Sequence, residues 1–98
     1  MIAAARVAHC QREPYDVYIG RAVPRRGLAA SKWANPYPLR REGDRLDVIA
    51  RYEHEHLPTH PELIAALPEL RGKVLGCWCA PKACHGDVLL RLANEGDA

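Results

Sequence analysis

The chain has 98 residues, 48% of them hydrophobic and 27% charged, with a formal charge of +2 and an isoelectric point near 8.4. That length suits one domain, spanning residues 1–98, that buries about two-thirds of its unfolded surface, and the composition is that of a folded protein, not a disordered tract. The small basic excess neither requires nor excludes nucleic acid; no apolar run is long enough to span a bilayer and no export leader is visible, which predicts a cytoplasmic protein with reduced cysteines.

The opening stretch from Ile2 to Cys10 has little periodicity and fits a strand better than a short helix. Gln11 to Pro14 reads as a turn, and Tyr15 to Arg21 as a β-branched and aromatic strand. Gly20 permits close approach to the strand end, where Arg21 projects either into a ligand site or into solvent. From Ala22 to Gly43, three prolines and two glycines break every period and predict a long loop. Within it, Ser31-Lys32-Trp33-Ala34-Asn35-Pro36-Tyr37 sets aromatics among basic residues, a composition that stacks a base and neutralises a phosphate, or else pins the loop to the core. The basic residues Arg21, Arg25, Arg26, Lys32, Arg40 and Arg41 fall in this region, whereas acids gather from Glu42 to Glu69.

Asp44 is placed to cap a helix starting at Arg45 and ending before Pro58, with Leu46, Ile49, Ala50 and Glu53 along one side. His54 and His56 diverge on such a helix, so with His60 they are expected at the surface or boundary and not on a metal. Pro61 to Leu67 fits a short helix with proline in its first turn. Val74-Leu75-Gly76-Cys77-Trp78-Cys79 then reads as a strand that Pro81 ends, and Asp87 to Ala93 has helical spacing. The order is β, β, long loop, α, α, β, α, an α/β arrangement on a small Rossmann-like sheet flanked by helices.

Three of the four cysteines lie between Cys77 and Cys84, followed at once by His85. Strand alternation puts Cys77 and Cys79 on one face and Trp78 on the other, while Cys84 and His85 stand at the helix start. Three readings of this cluster stay open. Cys77, Cys79, Cys84 and His85 are the ligand types of a tetrahedral zinc site, although adjacent Cys84 and His85 strain a shared ion and the paired spacing of zinc ribbons is absent. Alternatively, the loop from Pro81 to Gly86 and the helix N-terminus hold an anion or phosphate. The plainest reading has the sulfurs filling a core. The anion pocket is the leading reading.

The residues Asp16-Val17-Tyr18-Ile19-Gly20-Arg21, Ser31-Lys32-Trp33-Ala34-Asn35-Pro36, Arg45 with Tyr52, and Gly72-Lys73 leading to Cys77-Trp78-Cys79-Ala80-Pro81 and Cys84-His85-Gly86-Asp87 resemble the domain-of-unknown-function 4326 family. The resemblance runs from Val17 to Leu92, departing at Ala34, where the family often has glycine. It implies a bacterial or phage protein, in the host cytoplasm if phage-encoded, built as a small α/β domain with the motif residues at one end of the sheet. It implies no particular reaction. The last motif is also distantly similar to the C-x-x-x-x-P-x-x-C-H-R element of another Rossmann-like family, which favours a ligand loop over a zinc knuckle.

Together these readings predict a pocket at the sheet edge for a nucleotide-like or phosphorylated ligand, serving phage–host conflict or nucleic-acid metabolism. Arg21 and Lys32 would neutralise phosphate, Asn35 would bond polar groups, and Trp33 or Trp78 would stack a ring. Tyr18, Gly20, Arg45, Pro81 and Gly86 complete the expected ligand set. Cys84 and His85 are candidates for nucleophile and base with Asp87 beside them, and the position of Cys84 at a helix start predicts a lowered thiol pKa. The alternative is a zinc-stabilised adaptor that contacts nucleic acid or protein through the basic loop.

Overall fold

The computed structural model describes residues 5–95, so the Ile2 to Ala4 part of the expected opening strand lies outside the described residues. Three strands form one parallel sheet in the order β1-β3-β2: β1 is Arg6–His9, β2 is Val17–Tyr18 and β3 is Val74–Cys77. The central strand, β3, is the last in sequence, and its Leu75-Gly76-Cys77 run is buried on both faces, as a central parallel strand requires. Arg6 pairs with Val74 and His9 with Cys77 on one side, and Val17 with Leu75 on the other. Asp16 fixes the start of the ladder, its Oδ2 accepting from the Val74 N–H at 2.8 Å.

β2 is shorter than the sequence predicts because Tyr15 leaves the ladder to lay its ring over Gly76. A Cβ at Gly76 would lie 2.6 Å from Tyr15 Cγ, so only glycine admits that ring. β3 likewise ends at Cys77 and not Cys79, because the chain turns through the Lys82 N–H to Cys79 carbonyl bond at 2.8 Å.

The helix from Arg45 differs most from expectation. Helix α1 spans Arg45–Arg51 and continues through a π-helical turn at Tyr52–His56 and a 3-10 turn at Leu57–Thr59, so the chain stays helical through Pro58. Proline is tolerated there because it stands in the first turn of the new segment, where no N–H bond is needed. Asp44 makes no side-chain cap; it ends a 3-10 turn and pairs with Arg41. The expected apolar stripe is also displaced, since Leu46 is 73% exposed and the buried positions are Val48 and Tyr52. The long loop sets that face: the Tyr52 hydroxyl donates to the Trp33 carbonyl at 2.7 Å, and the Asn35 amide donates to the Val48 carbonyl at 3.2 Å.

Helix α2, Pro61–Ala66, leads through a 3-10 turn into β3. Helix α3, His85–Asn94, begins two residues before the expected Asp87. Its first turn packs tightly on the sheet, because a Cβ at Gly86 would lie 2.8 Å from Ile19 Cδ1. Leu89 and Leu75 meet Ile19, Leu57 and Leu70 in the core, where each buried side chain contributes about 1.5–3 kcal/mol. Among the described residues no helix is long and apolar enough to cross a membrane.

Candidate functional site at the sheet edge

Parallel strands that end together leave their last residues, the loops beyond them and the following helix around one hollow. Here β2 leads into Gly20 and Arg21, β3 runs into Trp78 and Cys79, and α3 starts at His85 behind its cap Cys84; all of these line a cavity of about 280 Å³. The long loop supplies Asn35 and Tyr37, and α1 closes the side with Arg45 and Ile49. The size is at the small end for a ligand pocket, which typically holds roughly 300–1,000 Å³.

Cys84 caps α3: its extended backbone lets the sulfur accept from the Gly86 N–H at 3.3 Å, and the Asp87 carboxylate accepts from the Cys84 N–H at 3.0 Å. The cap holds Cys84 inward, where its sulfur meets Cys77 and Cys79. Cys77 and Cys84 are each 3% exposed, whereas Cys79 is half-buried on the cavity wall. All four cysteines are free thiols.

Within the trio, one negative charge is best placed on Cys79. Its pKa is lowered because its sulfur accepts from the Cys77 and Cys84 thiols and then from the Arg45 guanidinium. Cys84 is pushed up by donating to Cys77 and Cys79 and by burial. The expected lowering at Cys84 is therefore reversed: a helix N-terminus stabilises a thiolate by a fraction of what a neighbouring thiolate and burial withdraw. Cys77 is pushed up to about 11, first by its bond to Cys79.

Arg45 is fixed from three sides. Its guanidinium donates to the Ala83 carbonyl at 2.8 Å, pairs with Glu42 and reaches Cys79. The same guanidinium holds the Glu42 carboxyl down at about 2. His85 is 7% exposed; its Nε2 donates to the Ile19 carbonyl at 2.8 Å, and its ring stands edge-on to Tyr52 at 4.9 Å. Burial lowers its pKa, against the carbonyls of Ile19 and Trp33. Adjacent Cys84 and His85 do converge. Donor atoms of Cys77, Cys84 and His85 all lie within 4.8 Å of one another, an arrangement that could hold a metal ion.

Of the residues singled out from sequence, Gly20, Arg21, Asn35, Tyr37, Arg45 and Trp78 line this cavity with Cys77, Cys79, Cys84 and His85, and the other expected ligand residues lie elsewhere. Trp33 is 2% exposed in the core, so it pins the loop and offers no stacking face. Lys32 pairs with Glu69 at 2.9 Å. The Tyr18 hydroxyl donates to the Arg21 carbonyl at 2.6 Å and accepts from the Trp78 indole at 2.8 Å, locking the strand end. Pro81 borders a separate hollow beside Val7 and His9. Gly86 is buried under Ile19, and Asp87 is occupied by its cap. Asn35 is also committed, with its Oδ1 accepting from the Tyr37 N–H at 2.9 Å. Sequence reasoning missed Ile49 and Glu42 as parts of the site, although the Glu42–Arg45 spacing of three residues is a readable pairing signal.

Residues 2–95 match a domain of unknown function, DUF4326. The chain belongs to the DUF4326 family. It is 36% identical over 87 residues to an uncharacterised protein of Acanthamoeba polyphaga mimivirus, which covers 79% of this chain and 65% of the viral protein. A 31-residue stretch is 53% identical to an uncharacterised 12.4 kDa protein of the nrdA–td intergenic region of Enterobacteria phage T4, covering 32% of this chain and 29% of the phage protein. The chain thus spans under two-thirds of the length of either curated relative. No solved structure matches. The phage T4 relative agrees with the bacterial or phage distribution that the resemblance implies, and the mimivirus relative extends it to another virus.

Proposed function

We propose that the cavity at the carboxyl ends of β2 and β3 binds a small nucleotide-like or phosphorylated molecule. One observation carries this reading: Arg21 and Arg45 flank the same cavity, at the sheet edge where Rossmann-like folds hold their ligands. Arg45 is tied to the wall by Glu42 and Ala83, whereas the exposed Arg21 side chain has no hydrogen-bond or ion-pair partner among the described residues. Arg21 is therefore the cation available to a phosphate. A cavity of about 280 Å³ limits the ligand to the size of a mononucleotide or sugar phosphate, part of it exposed. The test is a thermal-shift screen with such compounds, since a ligand at a hundredfold over its Kd stabilises by about 2.7 kcal/mol. Arg21→Ala should remove the shift and leave the unliganded melting temperature unchanged; a variant that unfolds would make Arg21 structural and take away the anchor.

A second reading, a zinc-stabilised adaptor, is favoured by the Cys77, Cys84 and His85 cluster with Cys79 beside it. Three sulfurs and one imidazole nitrogen match the donor preference of zinc. In that case purified protein contains close to one zinc per chain, and chelation lowers its melting temperature.

A further inference from the structure

The donors of the cluster are not equivalent, and the difference follows the cavity wall. Cys77, Cys84 and His85 are buried at 3%, 3% and 7% exposure, and their donor atoms gather within 4.8 Å. Cys79 is half-buried, sits beyond the end of β3 in the turn closed by Lys82, and also contacts Arg45. Resting on the zinc reading above, we infer that Cys77, Cys84 and His85 form the permanent seat of a zinc-type divalent cation, with Cys79 as an exchangeable fourth ligand that yields to a molecule in the cavity.

Closed structural zinc sites, Cys3His among them, hold all four protein ligands, whereas sites that act on a substrate keep three and leave one position open. The seat has the features of the second kind. His85 donates one ring nitrogen to the Ile19 carbonyl, the outer bond that metal-binding histidines commonly make and that fixes their tautomer. Tyr52 and the cap of α3 hold His85 and Cys84 rigidly. Cys79 has somewhere to go, because Arg45, held by Glu42 and the Ala83 carbonyl, can neutralise a released thiolate. The exchange balances without any outside reagent. The metal–sulfur bond to Cys79 breaks with the electron pair kept on sulfur, and a lone pair from an oxygen or nitrogen of the incoming molecule takes the vacated position. The chemical class admitted is a small molecule with an anionic oxygen or an imidazole-like nitrogen.

The experiment loads the full chain with Zn²⁺ and then with Co²⁺, whose visible spectrum reports coordination, in the wild type, Cys79→Ser and Cys77→Ser. Cys79→Ser should keep one Co²⁺ per chain with affinity reduced on the order of 10-fold, lose part of the thiolate-to-cobalt absorption, and shift its d–d bands when imidazole is added. Cys77→Ser should lose stoichiometric binding. If Cys79→Ser loses the metal as completely as Cys77→Ser, the site is closed and structural; the inference falls while the zinc reading stands. A wild type that takes up neither metal ends both. Should Cys77→Ser not fold, the zinc-loaded wild type decides by alkylation and peptide mass spectrometry. Modification of Cys79 ahead of Cys77 and Cys84, with zinc retained, supports the inference, and protection of all three until chelation overturns it.

Discussion

Replacing Tyr52 with phenylalanine isolates the bond that ties the long loop to the helix behind the site. Tyr52 is fully buried, and its hydroxyl donates to the Trp33 carbonyl at 2.7 Å. Phenylalanine fills the same space, so no cavity opens and the change reduces to one hydroxyl. Loss of a neutral hydrogen bond costs about 0.5–1.5 kcal/mol, and a buried carbonyl left without this donor adds up to about 1–3 kcal/mol. The net expectation is a loss of about 2 kcal/mol, which lowers the melting temperature of a domain this size by roughly 8–16 °C. Urea unfolding followed by far-ultraviolet circular dichroism measures it, with the m-value required to stay constant. A loss below about 0.5 kcal/mol at constant m would refute the claim that this bond anchors the loop.

The same residue gives an alkaline signature. Burial raises the Tyr52 pKa well above its ordinary 10.0, so its contribution is complete below pH 10 and is lost progressively as the pH rises above it, by up to about 1.4 kcal/mol per pH unit. The difference between wild type and Tyr52→Phe should therefore shrink above pH 10, and a constant difference in urea midpoints would contradict it. Burial lowers the His85 pKa below its ordinary 6.5, so the contribution of neutral His85 is full above that pH and declines as pH falls below it; metal-free protein should melt lower at pH 5.5 than at pH 7.5, and His85→Gln should show a smaller acid loss. Gly76→Ala drives a methyl group to within 2.6 Å of the Tyr15 ring and should cost about 1–3 kcal/mol by displacing it, whereas Gly43→Ala, with open space around it, should be nearly neutral in the same assay.

The β, β, loop, α, α, β, α order was legible because each element carries its own local signal: Val17 and Tyr18 for a strand, Pro61 for a helix start, Pro81 for a strand end. The cluster at the sheet edge was legible for the same reason, since strand and helix-start geometry bring Cys77, Cys84 and His85 together. What periodicity could not give was the rotation of α1. Leu46 and Ile49 suggest one face, but the partner surface comes from the distant loop, whose Trp33 and Asn35 select Val48 and Tyr52 instead. Trp33 illustrates the same limit from the other side. Its basic neighbours suggest a stacking platform, yet a large ring gains more from burial than from waiting at the surface. The thiol pKa order depended on which sulfurs touch, and a rule drawn from one helix terminus could not include the neighbouring thiols.

The central claim, that a small phosphorylated ligand occupies the cavity beside Arg21 and Arg45, is tested most directly by amide chemical-shift mapping of labelled protein titrated with nucleoside monophosphates and sugar phosphates. The account predicts saturable shifts centred on Gly20, Arg21, Ile49 and Cys77 to Cys79, lost in Arg21→Ala. No saturable shift with any compound, or shifts confined to the exposed Arg25, Arg26, Arg40 and Arg41, would contradict it.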